Sequence, residues 1–151
     1  MFPPQVTRAA LHKELLLLFY KEVYQNGNLE LIDELIAPDF RSHDWPEGLR
    51  GPQGFKSHYA AFKEALPQAR YHLQDLIAES DRVVIRWEIR GVYVGLFPGI
   101  GLPPKGQKIA ISEIAIYRIE KQMLQECWRV SNPYKVLSKT TPTCYTSPHN
   151  Q

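Results

Sequence analysis

Hydrophobic positions recur along the chain at two different periods, and the change falls near Pro67. Before it, apolar residues return about every four positions, the spacing of helices. Thr7 is placed to cap a first helix, whose stripe runs through Leu11, Leu15, Leu18, Phe19 and Val23, with Leu16, Tyr20 and Tyr24 as further members. The turn residues of "QNGN" end it. "LELIDELIA" makes a short second helix that Pro38 stops. "DFRSHDW" follows as an extended piece and "PEGLRGP" as a loop. Pro52 stands near the start of a third helix, "QGFKSHYAAFKEAL", which Pro67 closes. Its buried stripe takes Phe55, His58 or Tyr59, Phe62 and Leu66.

Beyond Pro67 the period becomes two. "ARYHLQDLIAES" ends in a turn before "DRVVIRWEIRGVYVG". There Val83, Ile85, Trp87, Ile89 and Tyr93 share one face, and Arg86, Glu88 and Arg90 the other, the alternation of a strand with one apolar face. "LFPGIGLPPKGQ" is a long Gly/Pro loop, of a length that suits a lid. "KIAISEIAIYRI" and "MLQECWRVSN" are further strands joined by a tight "EKQ" turn. Helices followed by a mostly antiparallel sheet imply an α+β fold, with helices covering one face of a curved sheet. The strand at 108–119 is apolar on both faces, so both faces should be covered, which predicts a homodimer through the outer one.

Composition narrows the function class. At 151 residues the chain suits one domain, over 1–137, with "TTPTCYTSPHNQ" in a loose tail over 138–151. A net charge of +2 leaves no footprint for nucleic acid or for an anionic membrane surface. The "LLLLFY" run is too short to span a bilayer and lies far from any small-residue cleavage site, so a cytoplasmic protein is expected. Cys127 and Cys144 stand alone, at no metal spacing. Lys105 and the glycines around Gly99 match no phosphate-binding motif, so no cofactor is expected.

The order and spacing of "LELIDELIAPDFRSHD", "GPQGFKSHYAAFKEALP", "LIAESDRVVIRWEIRGVYVG" and "IAIYRIEKQMLQECW" resemble the SnoaL-like polyketide cyclase family, within the NTF2-like folds, over about residues 8–137. The resemblance implies a cone of three N-terminal helices on a curved sheet, enclosing an apolar cavity. It also implies cofactor-free acid/base chemistry on a small hydrophobic substrate, and often a dimer. The aspartate that serves as acid/base on the last strand of the aromatic-polyketide cyclases falls here on Arg129, or with a one-residue gap on Trp128. The histidine of their preceding strand falls on Ala115. Neither an arginine nor a tryptophan accepts a proton at neutral pH.

Candidate replacements lie close by. Glu113 and Tyr117 alternate in phase with Ala115, so they enter the cavity if Ala115 does. Glu113 would then be the general acid or base, or an ion held by Arg129 on the neighbouring strand. Tyr117 and Arg129 would donate hydrogen bonds to an enolate or alkoxide. Alternatively Glu113 lies on the outer face, paired with Arg86 or Arg90 across a dimer. His43 and Asp44 fall where the resemblance implies the cavity rim, His43 as proton shuttle and Asp44 as its orienter or as a turn former. His58 enters the pocket or sits at its rim with one wet nitrogen. Tyr20, Tyr24, Trp45, Phe62, Trp87, Phe97 and Trp128 are candidates for an aromatic wall. No two of His43, Asp44, His58 and Glu113 have helix-motif metal spacing, so no metal is expected.

Three functions follow in order. The first is a cofactor-independent isomerase or cyclase acting on a hydrophobic natural-product intermediate. The second is a non-catalytic ligand-binding or dimerisation module. The third is hydrolysis of the epoxide hydrolase type, which needs two carboxylates near one water, from Glu113 with Asp44 or Glu126.

Overall fold

The computed structural model describes residues 4–132 and 135–137. The expected tail at 138–151, with Cys144, lies outside the described residues.

Helix α1 (Arg8–Phe19) is capped by Thr7, whose side chain accepts the Ala10 amide. It runs into a π-helical turn at Tyr20–Gln25. Leu11 and Leu18, expected in its buried stripe, are instead exposed, at 50% and 45%. The buried residues are His12, Leu16, Phe19, Tyr20, Val23 and Tyr24. A run of leucines offers apolar side chains at every phase, so the periodicity cannot choose the face. The π turn then shifts the phase and brings Tyr20 and Tyr24 onto the buried side.

Helix α2 (Glu30–Leu35) ends earlier than Pro38, which lies inside strand β1 (Ile36–Ser42). β1 is an edge strand, where a missing amide donor costs little. Helix α3 (Gly51–Ala65) starts with Pro52 in its first turn. Gly51 has φ +63°, and a Cβ there would clash with the Pro38 carbonyl oxygen, so this backbone approach requires glycine.

The long strands are β2 (Arg70–Glu79), β3 (Arg82–Tyr93), β4 (Gln107–Glu120) and β5 (Met123–Ser131), with a short β6 (Lys135–Leu137) pairing β4. The sheet order is β1-β5-β4-β3-β2, and every pair is antiparallel except β1 with β5. The expected tight turn joins β4 to β5 at Lys121 and Gln122, whose φ values of 52° and 60° suit a two-residue hairpin turn. The core lies between the helices and one sheet face, where Val83, Ile85, Trp87, Ala115, Tyr117, Ile119 and Cys127 are buried. On the outer face Ile77, Ile114, Ile116 and Val130 are 62%, 50%, 38% and 73% exposed.

Among the described residues, no helix is long and apolar enough to cross a membrane.

Candidate active site

One irregularity in the sheet decides which side chains can do chemistry. Between Arg118 and Ile119 the β4–β5 register shifts, so that Ile119 pairs Leu124 but Arg118 pairs Glu126. Gln125 is the extra residue. Strict alternation from the buried Leu124 would send Glu126 and Trp128 inward. The bulge reverses this, because one extra residue moves every later side chain to the other face. Cys127, Arg129 and Ser131 therefore turn inward, opposite Tyr117, Ala115 and Glu113.

These inward residues floor a cavity of about 710 Å³ between sheet and helices. Its apolar wall is Tyr24, Trp45, Tyr59, Phe62, Trp87 and Phe97. The floor carries Glu113 and Arg129, only 11% and 7% exposed, with Arg129 Nε 3.7 Å from Glu113 Oε2. Glu113 Oε2 also accepts the Trp87 indole N–H at 2.8 Å, and its Oε1 accepts the Ser131 hydroxyl at 2.9 Å. Asp44 approaches the same guanidinium, Oδ2 to Nη1 at 3.7 Å, while Ser42 donates to its other oxygen. One guanidinium thus stands between two carboxylates.

Arg129 is fixed from behind. Its Nη2 donates to the Tyr117 hydroxyl at 2.9 Å, and Tyr117 lies 3.0 Å from the Tyr20 hydroxyl. An arginine only donates, so Tyr117 accepts from it, and the Tyr117 and Tyr20 hydroxyls share a further hydrogen bond behind it. Burial raises the pKa of both phenols well above the ordinary value, which keeps them neutral. Burial opposes the charge on Arg129, yet the surrounding phenols and Glu113 push its pKa up, so it stays cationic.

His58 lines the cavity between Trp45 and Phe97, with ring centroids 5.5 and 5.6 Å away. Burial first, and then the Arg129 charge, lower its pKa to about 4, against a smaller opposing effect of Asp44. It is a neutral imidazole at physiological pH.

Of the expected site residues, the structure brings Glu113, His58, Arg129 and Asp44 into one cavity, along with Tyr24, Trp45, Phe62, Trp87 and Phe97. Tyr117 and Tyr20 lie beneath its floor and touch it through Arg129. His43 and Trp128 are elsewhere, on the outer face. The His43 ring stacks on Trp128 at 5.0 Å and its Nε2 meets Glu126 at 2.6 Å, while the Arg82 guanidinium lies 4.8 Å from the Trp128 ring. Burial raises the Glu126 pKa, but hydrogen bonds from His43 and Arg118 outweigh it and the net shift is downward. Ser131 was not anticipated. Its signal is the pairing of β5 against β4, which a count from the turn would misplace by the one bulged residue.

Residues 14–139 match the family described as SnoaL-like polyketide cyclase. The chain belongs to that family. A crystal structure of a candidate polyketide cyclase from Acidithiobacillus ferrooxidans aligns at a TM-score of 0.69 and 27% identity, over 83% of this chain and 91% of that one. IdmH, a candidate polyketide cyclase from Streptomyces antibioticus, aligns at 0.67 and 25%, over 80% and 91%. A SnoaL-like candidate polyketide cyclase from Jannaschia sp. CCS1 shares the fold at 0.74 and 21% identity, over 87% and 92%. No curated protein sequence matches the chain. Ala115 and Arg129 pair opposite one another, and the inward carboxylate on β4 is one alternation away, at Glu113.

Proposed function

We propose that this family member is a cofactor-independent isomerase or cyclase that rearranges or ring-closes a hydrophobic natural-product intermediate by acid/base chemistry in the cavity. The observation that supports this reading best is the pairing of Glu113 with Arg129 on the floor of an aromatic-walled cavity. Glu113 takes a proton from carbon next to a substrate carbonyl, through Oε1, whose only partner among the described residues is a serine hydroxyl. As Glu113 is neutralised, the enolate that forms becomes the new partner of Arg129. Charge is relocated beside a fixed cation, and none is stranded in an apolar space. His58, neutral and lined up with the aromatic wall, hydrogen-bonds the substrate and carries a proton between its oxygens or to the closing carbon. The wall holds one conformer and keeps water out.

Asp44 and Glu113, two carboxylates on one cavity, support a second reading, hydrolysis of an epoxide by a water that one of them activates. For the first reading, 2-tetralone in D₂O is a probe that does not require the natural substrate. Protein-dependent exchange of its α-protons, followed by NMR, supports carbon acid chemistry. No exchange above buffer, together with ¹⁸O transfer from water to a cyclic epoxide, would replace it with the second.

The exposed outer-face residues Ile77, Ile114, Ile116 and Val130 support pairing of two copies through that face. Light scattering at micromolar concentration should give twice the chain mass, and a clean monomer would rule the pairing out.

A further inference from the structure

The ionisable side chains that line the cavity are Asp44, Glu113, Arg129, His58, Tyr24 and Tyr59. Burial raises the pKa of both tyrosines, so neither is charged at neutral pH. His58, lowered to about 4, adds no positive charge there. What remains is one guanidinium between two carboxylates, an excess of one negative charge. Arg129 is the group that would otherwise receive an anionic ligand. Its Nη2 donates to Tyr117, while Nη1 and Nε face Asp44 and Glu113 at 3.7 Å, beyond hydrogen-bond reach, and Nε has no hydrogen-bond partner among the described residues. A carboxylate that approached either of these edges would meet the negative charge of Asp44 or Glu113.

We propose that Asp44 and Glu113 make this cavity selective for charge, so that it takes flat ligands that are uncharged, with a carbonyl or hydroxyl oxygen, and turns away carboxylates. The inference rests on the acid/base reading for the ligand's place in the cavity but concerns binding alone. In the ground state an anion competes with Glu113 for Arg129 and meets the field of Asp44, inside walls that screen little. A neutral carbonyl meets neither penalty. Selectivity and catalysis then share one arrangement. The floor rejects a negative charge brought in from water and accepts one only when it arises as Glu113 takes up a proton.

The selectivity has two sources in the fold, which allows independent tests. Glu113 comes from β4 and is held by Trp87 and Ser131. Asp44 comes from the chain just after β1, at 28% side-chain exposure, so its replacement disturbs little packing. His43, its neighbour, is directed to the outer face and contributes nothing to the cavity.

The test is equilibrium dialysis of the full chain at pH 7 against 2-naphthol and 2-naphthoate, two probes of nearly equal shape. The naphthol should bind at least about tenfold more tightly, equivalent to about 1.4 kcal/mol. In Asp44→Asn and in Glu113→Gln the ratio of naphthoate to naphthol affinity should rise by at least about threefold. Naphthoate binding as tightly as naphthol to the wild-type protein would overturn the proposal and leave the proton-transfer reading standing. So would an unchanged ratio of the two affinities in both variants. Failure of both probes to bind at millimolar concentration would overturn it too. Loss of 2-tetralone exchange with the naphthol preference intact would remove the acid/base reading alone.

Discussion

Replacing Arg129 with methionine removes the cation while keeping much of the stem's packing. Glu113, 11% exposed, would then face a thioether with no opposite charge near it. At 3.7 Å, and with an effective dielectric constant of about 20, the attraction lost is roughly 4 to 5 kcal/mol. Breaking a buried pair by removing one partner costs about 3–5 kcal/mol, because the other charge is left uncompensated. Tyr117 also loses its donor, which adds about 1 kcal/mol. Asp44 is more exposed and adds less. Urea unfolding should therefore show Arg129→Met less stable by about 3–5 kcal/mol. The sign of the next step is the sharper test. Adding Glu113→Gln removes the stranded charge, so the double variant should regain about 1–2 kcal/mol over Arg129→Met. If Glu113→Gln costs the same in the double variant as in the wild type, the two groups are uncoupled and the account of the cavity floor is wrong.

His58 gives a pH test with a definite sign. Its folded-state pKa, about 4, lies below the ordinary 6.5, so the unfolded chain takes up a proton first as pH falls. The stability this contributes is present above about pH 6.5 and is lost between there and about pH 4, up to about 3 kcal/mol. Relative to His58→Leu, the wild-type protein should lose stability across that window, and parallel curves for the two would show that the imidazole is not held neutral. Tyr117→Phe leaves the cavity lining untouched but removes the acceptor behind Arg129, at a cost of about 1–3 kcal/mol in urea unfolding. In a steady-state assay its kcat should fall by about tenfold with KM little changed, and the reverse pattern would mean Tyr117 does not position the guanidinium.

The third helix and the long strands were legible because Pro52 and Pro67 punctuate the chain and because β3 alternates cleanly through Trp87 and Ile89, whereas Pro38, read as a helix stop, lies inside β1. The inward set on β4 was legible for the same reason, as Glu113, Ala115 and Tyr117 keep strict alternation. β5 was not. Arg129 and Trp128 are consecutive, so only one of them can face the cavity, and the choice rests on a bulge at Gln125 that no residue type announces. His43 and Asp44 pose the same problem where β1 ends: neighbours in sequence, they part to opposite faces once Ser42 holds Asp44 inward and Trp128 offers His43 an outer surface to stack on. The buried face of α1 was illegible for another reason. Its leucines fit several phases, and the packing of Phe19 and Tyr24 around Phe55, rather than their own periodicity, selects one.

The central claim is that Glu113 moves the proton, and Glu113→Gln tests it most directly because the amide is nearly the same shape and accepts no proton at neutral pH. The measurement is the rate of protein-dependent α-proton exchange of 2-tetralone in D₂O, by NMR, at saturating probe and with folding confirmed by urea unfolding. The account predicts a rate at least about 10²-fold below wild type with binding of the probe retained. Exchange at the wild-type rate in Glu113→Gln would contradict it and would move the proton transfer to His58.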